Sequence, residues 1–219
     1  MSIGWFVLGA VSWSASEYAI HRFVGHGPKR TPARSLLERL TPAGLAAEFN
    51  REHLAHHSDP TYFAPTGRKL LAATAVIPVV SALAPVLGLR RAASFGAGFT
   101  AAYTAYEVLH RRIHTHPPRG AYGRWLRRHH LMHHYKSPRR NHGVTSPAWD
   151  LAFGTLTPKE RVRVPERSAP AWLAGDDGRV RPELSNDYEI VPSARSAGAS
   201  RSRRVPDDDA ACRTASILR

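Results

Sequence analysis

Thirteen histidines stand in this 219-residue chain, and ten of them fall into four groups of fixed spacing. His130, His133 and His134 read H-x-x-H-H within the stretch His129–His142, HHLMHHYKSPRRNH. The same spacing occurs at His53, His56 and His57, and two pairs add His21 with His26 and His110 with His114. On a helix, positions i, i+3 and i+4 share one face, so each triplet is expected to turn three imidazoles towards one point. Three protonated rings there would repel one another. Neutral rings need a common electrophile, and a metal ion is the usual one.

Ten imidazoles exceed what one ion can use, since zinc takes about four ligands and a single transition ion about six at most. Two metals sharing them, about five rings each, would keep room for an exchangeable position. Neutral imidazole suits iron, zinc, copper or nickel, so ligand type alone leaves the metal open. Bridging carboxylates, the more usual mark of a hydrolytic metal pair, are not part of the pattern.

The elements that must position these groups read as helices. Ile3–Ile20 is apolar with one charge, Glu17, and is about long enough to span a bilayer core of roughly 17–25 residues. It lacks the basic leader and cleavage grammar of a signal peptide and reads as a retained membrane helix. It runs into His21 and His26, where Gly25 and Gly27-Pro28 are expected to break the helix and let His26 swing back. Leu36–Leu40 suits a short interfacial helix, and Ala46–Ser58 a helix closed by Asp59-Pro60. Leu70–Leu89 is uncharged and long enough to span, with Pro78 and Pro85 tolerable in a packed membrane helix. Arg90-Arg91 would make the turn into a returning segment, Ala92–Leu109, rich in small residues for close packing. Arg124–Lys136 reads as a basic helix whose Trp125, Leu126 and Leu131 rest at the lipid surface.

The fold class expected is therefore all-α: an integral membrane protein with about three spans, or one span and a helical hairpin, under a histidine-rich di-metal cap. Spans near 3–20, 70–89 and 92–112 place every histidine motif and most Lys/Arg on one side, which the positive-inside rule makes cytoplasmic. Arg90-Arg91 stands against the rule. Residues 1–157 form the membrane-embedded domain, and 158–219 a polar, mostly disordered tail containing Cys212 and the basic run Arg201–Arg204. A single cysteine excludes an intrachain disulfide and a cysteine-built cluster. The net charge of +14 is carried almost wholly by residues 1–157, at +12, interleaved with apolar runs. That pattern fits loops at a membrane surface, and nucleic acid is not an expected partner. The mean hydropathy of −0.35 averages apolar spans with the polar tail.

In order, the motifs H-x-x-x-x-H, H-x-x-H-H, H-x-x-x-H and H-x-x-H-H follow E-Y-x-x-H-R and precede H-H-Y-K and N-x-G-V-T-S-P-x-W-D-x-x-F-G-T. Over Glu17–Thr155 this resembles the fatty acid hydroxylase/sterol desaturase superfamily, most closely the fatty acid 2-hydroxylase branch. The resemblance implies a membrane oxygenase that uses O2 and electrons from a partner to hydroxylate a lipid or fatty acyl chain. It implies two iron ions, with zinc able to stand in for them in purified protein. It also implies a ligand set of His21, His26, His53, His56, His57, His110, His114, His130, His133 and His134. Nothing ahead of the first span corresponds to the cytochrome b5 domain of eukaryotic relatives. An external donor is therefore expected: a ferredoxin, a cytochrome b5-like protein or a reductase. Carotenoid hydroxylases and sterol or lipid desaturases of the same superfamily remain alternatives. A histidine-rich metal transporter is the non-enzyme alternative, disfavoured because the groups sit at span ends.

Outside the pattern, His116 and His129 read as solvated or structural, and His142 as packed, substrate-facing or adjacent to the ligands. Glu17, Glu52 and Glu107 each lie three or four residues from a ligand, where a carboxylate can orient an imidazole. Pairing with a nearby arginine is the equal alternative for each. Trp149 and Asp150 read as fixing the segment that follows.

Overall fold

The computed structural model describes residues 1–193. The readings placed on Cys212 and Arg201–Arg204 lie outside the described residues. The described chain is α-helical apart from one short two-stranded ribbon.

Helix α1 (Ile3–Ala19) continues without interruption into a π-helical turn, Ile20–Gly25. After a short α2 (Leu36–Arg39), α3 (Pro42–Ser58) carries the first histidine triplet. Thr41 caps it by accepting the Gly44 N–H at 3.1 Å, and Asp59 ends it in extended backbone ahead of Pro60. Helices α4 (Thr66–Ala73) and α5 (Val76–Leu87) form one apolar stretch with a step at Thr74–Ala75. Pro78 accounts for the step, because it has no N–H to give the Thr74 carbonyl and its ring crowds that oxygen.

Thr66–Leu87 is the one helical stretch among the described residues long and apolar enough to cross a membrane, and its most apolar window is entirely unburied. Helix α1 and helix α6 (Leu89–Thr115) do not reach that combined length and hydropathy. The reversal between α5 and α6 is made by Gly88 alone, at φ +81°. Arg90 and Arg91, expected to form the turn, instead lie in the first turn of α6. A positive φ is open to glycine and costly for arginine.

Helices α1 and α6 make the most extensive helix–helix contact of the described residues. A Cβ at Gly9 would stand 2.0 Å from the Phe95 carbonyl oxygen, and one at Gly98 would stand 1.9 Å from that of Phe6. The backbones touch where only glycine fits. Trp13 meets Phe99 and Tyr103 edge-on beside this seam, at 5.3 and 4.8 Å between ring centres. This packing carries the His110/His114 end of α6 to the same level as the π turn after α1.

Helix α7 (Gly120–Tyr135) holds the second triplet and is stapled to α6 by Arg127. That buried guanidinium donates to the carbonyls of Arg112, His116 and Gly123, joining the end of α6 to the first turn of α7. A short α8 (Ala148–Ala152) follows.

Beyond it, residues 158–193 depart from the expected disordered tail, the rest of which lies outside the described residues. Strands β1 (Val162–Pro165) and β2 (Tyr188–Val191) pair in parallel, with Val162 opposite Tyr188. Val162, Val164, Trp172, Leu173, Leu184 and Tyr188 share one core with Leu131 and Met132 of α7. Leu131, expected at the lipid surface, is thus 0% exposed, and Leu126, expected there too, is 2% exposed in a second core with Ile113 and Val144. Trp172 donates to the Ile113 carbonyl at 3.0 Å, Tyr135 to that of Ser168 at 2.8 Å, and Arg128 pairs with Asp187 at 2.7 Å. The apolar residues of this lobe stand singly or in short pairs such as Trp172-Leu173 among Pro, Arg and Asp. Averaged polarity conceals them, yet they form one core with Leu131 and Met132 of α7.

Two stability predictions follow from this packing. Trp172→Ala should cost about 3–5 kcal/mol and lower the thermal midpoint in detergent; an unchanged midpoint would mean the lobe does not support α7. Gly98→Val should lower the midpoint by forcing α1 from α6, whereas Gly4→Ala, with nothing within 4 Å of a new Cβ, should leave it in place. Equal effects of the two would contradict the seam.

Candidate metal centre

On an α-helix of about 3.6 residues per turn, His21 and His26 would point roughly 140° apart. The helix ends at Gly25 as expected, but the π turn before that end, and not the break itself, removes the difficulty. The His26 N–H donates to the His21 carbonyl at 3.1 Å, a five-residue step that brings the two rings to one side. Asn50, three residues before His53 on α3, secures the turn by donating to the carbonyls of Val24 and Gly25, both at 2.9 Å. The N-x-x-H spacing was a visible signal for Asn50, since it puts the amide on the ligand face of the helix.

All ten patterned histidines come together, in two groups of five. One group is His21, His26, His53, His57 and His133; the other is His56, His110, His114, His130 and His134. Within each group the nitrogens that face one another lie within 4.8 Å. The triplets therefore do not converge as units. In α3 the i, i+4 pair His53/His57 enters the first group and His56 the second. In α7 the pair His130/His134 enters the second group and His133 the first. Each group is completed by one of the two-histidine motifs. Positions i and i+4 stack on a helix while i+3 projects to the side, so two facing triplets exchange their middle members.

Contacts outside the groups fix the protonation of several rings. His21 Nδ1 lies against the His142 carbonyl, His133 Nδ1 is 2.7 Å from the Arg140 carbonyl, and His56 Nδ1 is 2.8 Å from that of Tyr62. A carbonyl only accepts, so each Nδ1 carries the hydrogen and each Nε2 presents a lone pair. His21 Nε2 and His133 Nε2 nevertheless face each other at 2.9 Å. Two lone pairs at that distance repel unless a cation lies between them. Nε2 atoms also meet at 2.9 Å for His26–His133, 3.1 Å for His57–His133, 3.0 Å for His114–His130 and 3.0 Å for His130–His134.

The surroundings keep these rings neutral. Burial, aided by repulsion from His142, lowers His26 to about 4. Burial lowers His56 to about 4 against the pull of the Tyr62 carbonyl, and burial with repulsion from His26 lowers His57 to about 3. Burial also holds His53, His130, His133 and His134 well below the ordinary range. Neutral imidazole is the form that binds a metal. Two histidine clusters of this kind fit a di-iron centre.

None of the three candidate carboxylates hydrogen-bonds an imidazole. Glu17 accepts the backbone N–H groups of Val144 and Thr145 and the Thr145 hydroxyl, at 2.6, 3.1 and 2.8 Å. Glu52 pairs with Arg51 and Arg68 and accepts the Tyr62 hydroxyl. Glu107 pairs with Lys69. Backbone carbonyls orient the rings instead, and their positions have no side-chain signature in a sequence. His142 is buried, its ring 5.5 Å from those of His21 and His133. His129 is buried beside Asp150 at 3.3 Å and stacks on Trp125, while His116 is exposed and meets the Thr115 hydroxyl. Asp150 accepts the N–H groups of His142 and Gly143, both at 2.8 Å, and the Thr155 hydroxyl at 2.7 Å. Burial alone would raise this carboxyl; contacts with His129, His142, Thr155 and Gly143 outweigh it and hold it well below the carboxylate range. Trp149 donates to the Ser14 hydroxyl at 3.2 Å, tying α8 to α1.

Residues 6–155 match the family described as fatty acid hydroxylase. The chain is 31% identical to the ceramide very long chain fatty acid hydroxylase scs7 of Schizosaccharomyces pombe, over 72% of this chain and 44% of that one. It is 26% identical to the dihydroceramide fatty acyl 2-hydroxylase FAH2 of Arabidopsis thaliana, over 68% and 58%. Identity to human fatty acid 2-hydroxylase is 28%, over 72% and 40%. The chain thus spans about half the length of these curated relatives. A solved structure of full-length scs7p, in which only the hydroxylase domain is visible, aligns with a TM-score of 0.52 and 30% identity, covering 70% of this chain and 55% of that one. With the four histidine motifs gathered into two five-membered clusters inside the matched region, the chain belongs to the fatty acid hydroxylase/sterol desaturase superfamily, near the fatty acid 2-hydroxylases.

Proposed function

We propose that this protein is an O2-dependent membrane hydroxylase that acts on a lipid or fatty acyl chain at a di-iron centre facing the cytoplasm. The observation that carries the reading is the opposition of His21 Nε2 and His133 Nε2 at 2.9 Å, each ring having its hydrogen on the far nitrogen. Only a shared cation makes that contact favourable. The ligands proposed are His21, His26, His53, His57 and His133 for one metal, and His56, His110, His114, His130 and His134 for the other. When bound, such a pair supplies activation of O2 and oxidation of a C–H bond.

The chain's own share is to hold, orient and exclude. The carbonyls of His142, Arg140 and Tyr62 set the tautomers of three rings, so those rings need no proton rearrangement on binding. Burial of the clusters keeps bulk water from competing with an apolar substrate. The names of the relatives support an acyl substrate, and electrons come in this reading from a separate redox partner.

Membrane placement rests on Thr66–Leu87 and on the apolar residues exposed elsewhere, among them Ile3, Val7 and Val11 on α1 and Val86 on α5. A contiguous apolar exterior of this kind suits lipid better than water. We assign α1, α4–α5 and α6 as three membrane-embedded segments with both clusters at one end. Arg22, Arg39, Arg68, Arg111 and Arg112 gather towards that end in the chain order, which favours the cytoplasmic side.

The test is mass spectrometry of lipid extracts from cells expressing the chain or its His133→Ala variant under labelled O2. A lipid that gains one labelled oxygen only with the intact chain is the expected result. A product lacking two hydrogens would replace hydroxylation by desaturation, and an unchanged product with His133→Ala would remove these clusters from the reaction. Metal analysis of protein purified in detergent should give about two metal ions per chain, falling in His133→Ala; full retention in the variant would contradict the assignment.

A further inference from the structure

The two clusters have the same ligand type and number but unequal support. An imidazole that gives Nε2 to a metal carries its hydrogen on Nδ1. If that N–H meets an acceptor, the ring is fixed and made a better donor to the metal; if it is buried and unpaired, its desolvation is uncompensated. In the first cluster His21 and His133 donate to the carbonyls of His142 and Arg140. Among the described residues, no fully buried ring nitrogen of that cluster lacks a partner. In the second, His114, His130 and His134 turn Nε2 inward, and the Nδ1 of all three is buried without a partner among the described residues. Among the described residues only His56 of this cluster meets a carbonyl, that of Tyr62.

The supports also differ in rigidity. The His142 carbonyl belongs to a peptide segment held on both sides. Asp150, 0% exposed, takes the N–H groups of His142 and Gly143, and Glu17 takes those of Val144 and Thr145. Asn50 fixes the π turn that carries His21. The Tyr62 carbonyl sits in the link between α3 and α4, on a partly exposed residue whose N–H meets the Asp59 carbonyl and whose hydroxyl meets Glu52, with no buried carboxylate among the described residues holding the peptide on either side.

We propose that the sites bind metal unequally, the cluster of His21, His26, His53, His57 and His133 filling first and tightly, the cluster of His56, His110, His114, His130 and His134 weakly and exchangeably. Asp150 is a positioning residue for the tight site, acting through the His142 peptide on His21. This rests on the two-metal reading above.

The test titrates metal-stripped, full-length protein in detergent with Co2+, following its visible absorption and the bound metal after dialysis. Two steps of one equivalent each are expected, separated by about 10-fold or more in Kd. His53→Ala should remove the tight step and His134→Ala the weak one. Asp150→Asn should weaken the tight step about 10–100-fold and leave the weak step unmoved, which a general loosening of the fold would not do. If Asp150→Asn does not fold, wild-type protein holding two equivalents and challenged with a chelator should release one well before the other. Two steps of equal affinity, loss of the tight step in His134→Ala, or equal weakening of both steps in Asp150→Asn would overturn the inequality. Uptake below two equivalents by the wild type would overturn the two-metal reading itself.

Discussion

The structure depends on one electrostatic constraint: neutral imidazoles are packed with ring nitrogens pointed at one another in a site from which bulk water is largely excluded. The His21–His133 contact shows it most simply, because both hydrogens are committed to carbonyls on the outer side. Burial removes the escape of protonation, as the lowered values of His26, His56 and His57 show. With neither a proton nor solvent between them, the rings require a metal cation. The fold reads as a means of imposing that requirement twice.

Its elements follow from it. The π turn after α1 corrects a five-residue spacing that an α-helix would waste. The glycine seam between α1 and α6 brings the first and third motifs to one level. Arg127 and Trp172 tie α7 to the end of α6, close to His114 and His130. The C-terminal lobe covers Leu131 and Met132, the residues between His130 and His133. A helix whose ligands must hold two metals cannot rock, and the lobe gives its outer face something to pack against.

Much of this was legible in the residues. The ten histidines, their division at about five per metal, and the helices α3 and α7 follow from spacing. The partition of each triplet between the two clusters does not, because i, i+3 and i+4 share a face as seen along one helix, and only the facing helix decides which ring goes where. The hydrogen-bond partners of the rings were hidden for a different reason: Tyr62, Arg140 and His142 contribute backbone oxygens, which every residue possesses. Glu17 was legible as a carboxylate one turn from a ligand and Asp150 as a residue that fixes its segment; both hold the 142–145 backbone and neither hydrogen-bonds a ligand ring. The lobe after residue 160 was not legible because its apolar residues are few, single or in pairs such as Trp172-Leu173, within a polar sequence. The turn falls at Gly88 and not at Arg90-Arg91 because backbone sterics, not charge, decide where a positive φ can stand.

The most direct test of the central claim is anomalous X-ray diffraction from the metal-loaded protein, recorded on either side of the iron absorption edge. The account predicts two peaks, one ringed by His21, His26, His53, His57 and His133 and one by His56, His110, His114, His130 and His134. A single peak, or a peak bound by all three members of one triplet, would contradict it.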